Sequence, residues 1–156
     1  MSTPRTRMLD LLLVEDSCTD VELTEEALAT ADIETQLHVV SDGEAALAFL
    51  RRQPPHESAR RPDLILLDLN MPRMDGREVL RELKQDDRLR SIPVLVLTTS
   101  GAQDDVVEAY ASGANAYIRK PVHFGDFITT MRAIEGFWMS VATLPDSGAE
   151  IRRNGH

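Results

Sequence analysis

Four apolar, strand-like runs in this chain each end in polar residues suited to phosphoryl chemistry. Leu9–Val14 ends in Glu15-Asp16, Leu64–Leu67 in Asp68, Val94–Leu97 in Thr98, and Ala116–Arg119 in Lys120-Pro121. Open parallel sheets gather ligands at the carboxyl ends of their strands, so these five groups should converge although they are scattered along the chain. Three carboxylates at one point repel one another, and a hard divalent cation such as Mg²⁺ relieves that repulsion through oxygen ligands. Lys120 adds an ammonium and Thr98 a hydroxyl. Metal, ammonium and hydroxyl together suit the oxygens of a phosphoryl dianion. Asp68 stands alone at its strand end, which suits a nucleophile that becomes an acyl phosphate. Glu15 and Asp16, being adjacent, suit metal binding. Each residue alone has an ordinary use as a cap, a loop start or a solvated corner; their joint placement at four strand ends favours chemistry.

The elements that must position these groups follow from periodicity. Apolar strand runs alternate five times with helix-period segments. Ser17 is a plausible N-cap for a helix with Val21, Thr24, Leu28 and Ala31 on one stripe. A second strand covers Thr35–Val40, and Ser41-Asp42-Gly43-Glu44 has capping-box spacing before a helix through Ala46, Leu47 and Leu50. Gln53–Pro62, polar and proline-rich, is a surface loop. The third strand is expected over Asp63–Leu67, followed by a helix capped by Asp75 with Val79, Leu80 and Leu83 toward the core. A helix near Asp104–Ala111 follows the fourth strand, and Ser112–Asn115 turns into the fifth. The last helix carries Phe127, Ile128, Met131, Ile134, Phe137, Trp138 and Val141 at mostly three- and four-residue steps. Strands 1, 3, 4 and 5 are nearly continuous in Leu, Ile and Val, as strands covered on both faces should be. An α/β fold with right-handed crossovers and a parallel sheet is implied, while strand order cannot be read from periodicity.

Composition narrows the function. The 156 residues suit one domain, with 42 % hydrophobic and 28 % charged residues, and a formal charge of -9 disfavours nucleic acid as a partner. No apolar run approaches a membrane span, and the N-terminal residues lack the apolar stretch of a signal peptide, so a cytoplasmic location without membrane contact is expected. The single cysteine, Cys18, excludes an internal disulfide and a four-cysteine metal site. Its acidic neighbours make a small residue near a helix start the simpler reading. The four histidines are scattered and none reads as catalytic or metal-binding, and the pairs Asp86-Asp87 and Asp104-Asp105 read as solvated or helix-end acids. No Gly-rich nucleotide loop is present, so the phosphoryl donor must be external.

With these residues in hand, the chain resembles a response-regulator receiver domain of two-component signalling, over about Leu9 to Phe137. Leu13–Ser17 resembles the family's acidic-pair motif, and Leu67–Gly76 its phosphoacceptor loop. Leu97–Ser100 and Tyr117–Pro121 resemble the two remaining blocks. The resemblance implies a flavodoxin-like sheet of order 2-1-3-4-5 with helices on both faces, an architecture for which receiver proteins are a standard example. It implies a receiver unit over 9–142 between an N-terminal extension, 1–8, and a tail, 143–156. It further implies that Asp68 takes the phosphoryl group from a phosphohistidine on a sensor histidine kinase, as a phosphoacceptor and not as an enzyme of small-molecule turnover. Asp16 would then be the main Mg²⁺ carboxylate, with Glu15 helping through water, Asp68 contributing and the Asn70 carbonyl as a further ligand. Thr98 and Lys120 would hold phosphoryl oxygens, and Tyr117 would be an aromatic switch coupled to Thr98.

The stretch Val94–Ser100, the Arg-rich loop before the third strand and Ile134–Trp138 resemble the stand-alone regulators paired with bacterial phytochrome kinases. That likeness implies a bacteriophytochrome kinase as partner and a homodimer. Cys18 stands where Pro is expected, and His123-Phe124-Gly125 where acidic residues are. A DNA-binding output is not expected, because only nineteen residues follow Phe137. A small-molecule aspartyl-phosphate phosphatase would want a second acid two residues after the nucleophile, where this chain has Asn70. A non-phosphorylatable scaffold would have lost the acceptor or the lysine, and both are present. In the last helix, Phe137 and Trp138 lie about 100° apart and cannot both follow the centre of the apolar stripe. With Leu144 they are expected to form an exposed apolar excess, the basis of a homodimer that Trp138→Glu should disrupt.

Overall fold

The computed structural model of the chain describes residues 8–71 and 74–145. Five strands, β1 (Leu9–Val14), β2 (Thr35–Val40), β3 (Leu64–Leu67), β4 (Val94–Thr98) and β5 (Ala116–Arg119), form one parallel sheet in the order β2-β1-β3-β4-β5. Helices α1 (Cys18–Thr30), α2 (Gly43–Leu50), α3 (Gly76–Gln85), α4 (Gln103–Ala111) and α5 (Phe124–Glu135) alternate with the strands. This is the flavodoxin-like order that the resemblance implied.

The strand side chains divide between two cores because successive residues point to opposite faces. Leu12, Val14, Ile65, Leu67, Val94 and Val96 meet the apolar sides of α2, α3 and α4. Leu9, Leu11, Leu13, Leu64, Leu66, Leu95 and Leu97 meet α1 and α5. With both faces covered, β1, β3 and β4 are buried throughout, which explains their unbroken apolar sequence. The expectation fails for β5, which is only half-buried with Arg119 exposed. It is one of the sheet's two edge strands, with β2 the other, so one side lacks a neighbouring strand.

Most local expectations hold, with small shifts. Ser17 caps α1 through Asp20 N–H, and Asp75 caps α3 through the N–H groups of Arg77 and Glu78. Helix α2 is capped by Asp42, which accepts from Ala45 N–H, and not by Ser41: the helix starts one residue later than the capping box suggested. Asp63 precedes β3 and accepts from Asp10 N–H. The last helix is not α-helical to its end. After Glu135 it widens into a π-helical turn over Gly136–Val141, in which Ala142 N–H donates to Phe137 C=O at 2.7 Å. That change of pitch redirects the aromatic pair. Phe137 is 49 % exposed, while Trp138 and Leu144 pack against the core under α1 and α5. The expected apolar excess therefore reduces to Phe137, with Trp138 held edge-on to it at 5.1 Å. The side chain of Val141, placed on the same stripe from sequence, lies outside the described side chains, as do residues 1–7 and 146–156 of the two expected extensions.

Candidate functional site

All the strand-end groups come together at the carboxyl edge of the sheet. Glu15 and Asp68 are buried and Asp16 is exposed, and each offers a carboxylate oxygen within 4.8 Å of the others. Parallel pairing explains the juxtaposition. Val14 is in register with Leu67 in β3, so the residues that leave both strands do so side by side. The backbone ties the turns together as well, with Asp68 N–H donating to Val14 C=O at 3.1 Å.

Each acid is oriented by its neighbours. Glu15 accepts from Ser17 N–H at 3.1 Å, at the start of α1. Asp68 accepts from Asn70 N–H at 3.2 Å. Gly76, first residue of α3, lets that helix reach the loop after β3. Its N–H donates to Leu69 C=O at 3.0 Å, and a Cβ there would lie 2.6 Å from Leu69 Cα. Thr98 is fully buried at the end of β4, and its hydroxyl accepts from Asn70 Nδ2 at 3.3 Å. The Lys120 backbone N–H donates to Thr98 C=O at 2.7 Å, which brings the ammonium over from β5.

Lys120 Nζ lies 2.6 Å from Glu15, 2.7 Å from Asp20 and 3.5 Å from Asp68. Burial alone would lower its pKa, but hydrogen bonds to Asp20 and Glu15 and the charge of Asp68 push it up to about 12. It is an ammonium throughout the neutral range. Glu15 behaves in the opposite sense. Burial raises its carboxyl to about 7, the charge of Asp68 adds to the rise, and the hydrogen bond from Lys120 only partly offsets it. Among the described residues the Lys120 ammonium thus lies beside three acids, Glu15, Asp20 and Asp68, and Asp16 adds a fourth next to Glu15 and Asp68. That surplus of hard, anionic oxygen donors fits a divalent cation of the Mg²⁺ or Mn²⁺ class, and exposed Asp16 leaves a side open to solvent.

Tyr117 lies half-buried against the core of the α2, α3 and α4 face, and its hydroxyl donates to Ser100 C=O at 2.9 Å in the loop after β4. That loop is braced further. Ser100 Oγ donates to Asp105 at 2.5 Å, and Arg77 donates to Asp105 and to Glu108 at 2.8 Å each. Asp105, expected as a solvated or helix-end acid, lies in the first turn of α4 and is in addition engaged on two sides, by Ser100 and Arg77, which holds its carboxyl below the usual range. Two participants escaped the sequence reading, Asp20 and this Arg77 bridge. Asp20 had a signal available, a further acid in the first turn of the helix that directly follows Glu15-Asp16.

The sequence profile described as the response regulator receiver domain matches residues 11–132. Response regulator Rcp1 of Synechocystis sp. (strain ATCC 27184 / PCC 6803 / Kazusa) is 48 % identical over 135 residues, covering 86 % of this chain and 92 % of that protein. The phosphorylated cyanobacterial phytochrome response regulator RcpA superposes with a TM-score of 0.84 at 44 % identity, over 90 % of this chain and 100 % of its own. The Mn²⁺-bound form of Rcp1 gives 0.81 at 47 % identity, over 88 % and 99 %. A family profile spanning most of the chain, with a relative 48 % identical over most of both chains, makes this protein a member of the response regulator receiver family.

Proposed function

We propose that the chain is a phosphorylation-controlled signalling switch in which Asp68 accepts a phosphoryl group from the phosphohistidine of a sensor kinase, of the bacteriophytochrome class. The observation that carries this reading is the meeting of Asp68 with Glu15, Asp16 and Lys120 at one sheet edge. In the transfer, an Asp68 oxygen supplies the electron pair for the new O–P bond as the donor's N–P bond breaks. The histidine nitrogen keeps the bonding pair. Asp16 and Asp68, with the Asn70 carbonyl and Glu15 through water, would hold Mg²⁺, which would supply charge neutralisation at the transferring oxygens. Lys120 Nζ, 3.5 Å from Asp68 Oδ2, is too far for a tight hydrogen bond to the free carboxylate and close enough to serve an added phosphoryl oxygen.

The switch follows from Thr98. Its hydroxyl is engaged by Asn70 in this state. A phosphoryl oxygen on Asp68 would accept the O–H of that hydroxyl, a donor the bond from Asn70 does not use, pulling on the end of β4 and the loop that Tyr117 holds through Ser100. The chain performs signalling and not small-molecule turnover: Asn70 provides no general acid two residues beyond the acceptor. The receiver unit is taken as 9–142, since the secondary structure begins at Leu9 and closes at Val141. No helix among the described residues is long and apolar enough to cross a membrane. Together with the charge of -9, that favours a cytoplasmic location away from membranes and nucleic acid. A homodimer through the last helix region rests on exposed Phe137.

The test is transfer from a panel of autophosphorylated sensor kinases, phytochrome kinases among them. Rapid labelling of wild type with Mg²⁺, and none with chelator or in Asp68→Asn, is the expected result. Undiminished labelling of Asp68→Asn would overturn the assignment.

A further inference from the structure

Among the anions around Lys120, Asp20 alone stands outside the chemistry assigned above. Glu15 and Asp68 belong to the acidic cluster that fits a divalent ion, and Asp68 is also the acceptor. The Asp20 carboxylate lies outside that cluster, on the first turn of α1, 2.7 Å from an ammonium whose side chain is only 7 % exposed. Its own position is well determined. Asp20 N–H donates to the Ser17 hydroxyl at 3.2 Å, and Asp20 C=O accepts from Thr24 Oγ1 at 2.9 Å. A lysine ammonium has three N–H donors on a flexible stem, so without fixed acceptors its direction is set by whatever anion is nearest. Two of those donors are taken here by Glu15 and Asp20. The third is left on the side of Asp68, at 3.5 Å.

We propose that Asp20 is a positioning residue for phosphoryl transfer: it fixes Lys120 so that one N–H faces the place where the phosphoryl oxygen arrives, and it keeps that hold when a divalent ion draws Glu15 away. The inference rests on the reading of Asp68 as the phosphoacceptor. Asp20 itself touches no reacting atom. Its pairing with Lys120 has a plainer use as a partly screened ion pair, since the Asp20 side chain is 27 % exposed, and such a pair alone contributes little to stability. The two uses differ in what a substitution does to the rate.

Phosphoramidate, a small donor that needs no kinase docking, is the probe. As the Asp68 O–P bond forms, the P–N bond breaks, and the protonated nitrogen keeps the bonding pair and leaves as ammonia. Initial rates would be measured against donor concentration in saturating Mg²⁺ for wild type, Asp20→Ala, Asp20→Asn, Lys120→Ala, Asp20→Ala/Lys120→Ala and Asp68→Asn. Asp20→Ala should lower the maximum rate about tenfold while changing the half-saturating donor concentration by less than about threefold, as a misaligned group does. Asp20→Asn, which keeps an acceptor oxygen, should fall between it and wild type, and its near-identical shape carries the test if Asp20→Ala loses its cooperative melting transition. In the Lys120→Ala background, Asp20→Ala should add no further loss, because its effect runs through the ammonium. An equal loss from Asp20→Ala with and without Lys120, or an unchanged maximum rate in both Asp20 variants, would overturn the inference while leaving the acceptor assignment intact. Phosphorylation of Asp68→Asn at the wild-type rate would instead overturn the acceptor assignment, and the role of Asp20 with it.

Discussion

In the proposed metal site, the buried Glu15 should make divalent-metal binding depend on pH in a window where ordinary carboxylates are silent. Burial, with the charge of Asp68 adding to it, raises this carboxyl from 4.5 to about 7. The metal requires it ionised, whether it binds directly or through water, so proton and metal compete. A group with a pKa of about 7 is roughly nine-tenths protonated at pH 6 and one-tenth at pH 8, so the apparent Mg²⁺ affinity should rise about tenfold between them. A carboxyl at its ordinary 4.5 would change the affinity by only a few per cent, roughly, over that interval. Calorimetric titration with Mg²⁺ at several pH values measures this, with proton release as an independent readout. Glu15→Gln should bind more weakly at pH 8 and show no such slope. The sign for folding is opposite. A raised carboxyl pKa means the folded, metal-free chain binds the extra proton, so stability from this group is greatest below 4.5 and declines as pH rises toward 7. Added Mg²⁺ should therefore raise the melting temperature more at pH 8 than at pH 6. A flat affinity in wild type, or the same slope surviving in Glu15→Gln, would refute the reasoning.

Two further substitutions separate the parts of the site, and one tests the proposed association surface. Lys120→Ala should leave Mg²⁺ affinity within about threefold of wild type, because an ammonium ligates no cation, yet blunt the response of the Tyr117 amide signal to beryllofluoride in NMR spectra. Total loss of Mg²⁺ binding would count against that division of roles. Gly76→Ala should cost about 1–3 kcal/mol in denaturant unfolding, since the new Cβ is driven against the backbone at Leu69, and should also slow phosphorylation by displacing the Asp68 turn. Wild type should scatter light as a dimer and Phe137→Glu as a monomer, the variant losing only the concentration-dependent part of the melting temperature. Trp138→Glu is a poorer probe, because Trp138 packs against the core and its loss also weakens folding.

The site was largely legible in the sequence because its residues follow strand ends, and strand ends are the best-marked points of a parallel sheet with both faces covered. Four-residue runs such as Leu64–Leu67 can be read only as fully buried strands once Asp68 and the loop beyond are seen. What remained hidden depends on distance between elements. Asp20 meets Lys120 across 100 positions, and Arg77 meets Asp105 across 28; no periodicity encodes either contact. The π-helical turn at Gly136–Val141 was invisible for another reason. A three- and four-residue apolar spacing fits an α-helix well enough, and the wider turn accompanies the packing of Trp138 and Leu144 onto the core, which spacing does not encode. Edge position, which leaves β5 half-buried, is likewise a property of strand order that periodicity does not carry.

The central claim is that Asp68 carries the phosphoryl group, and locating that group chemically tests it most directly. The protein would be incubated with Mg²⁺ and phosphoramidate, divided, treated or not with hydroxylamine, digested and analysed by mass spectrometry. The account predicts one phosphoryl group per chain, on the peptide containing Asp68, converted by hydroxylamine to a hydroxamate as an acyl phosphate must be, and absent from Asp68→Asn. A hydroxylamine-resistant phosphoryl group, or one residing on Asp16, Thr98 or any residue other than Asp68, would contradict it.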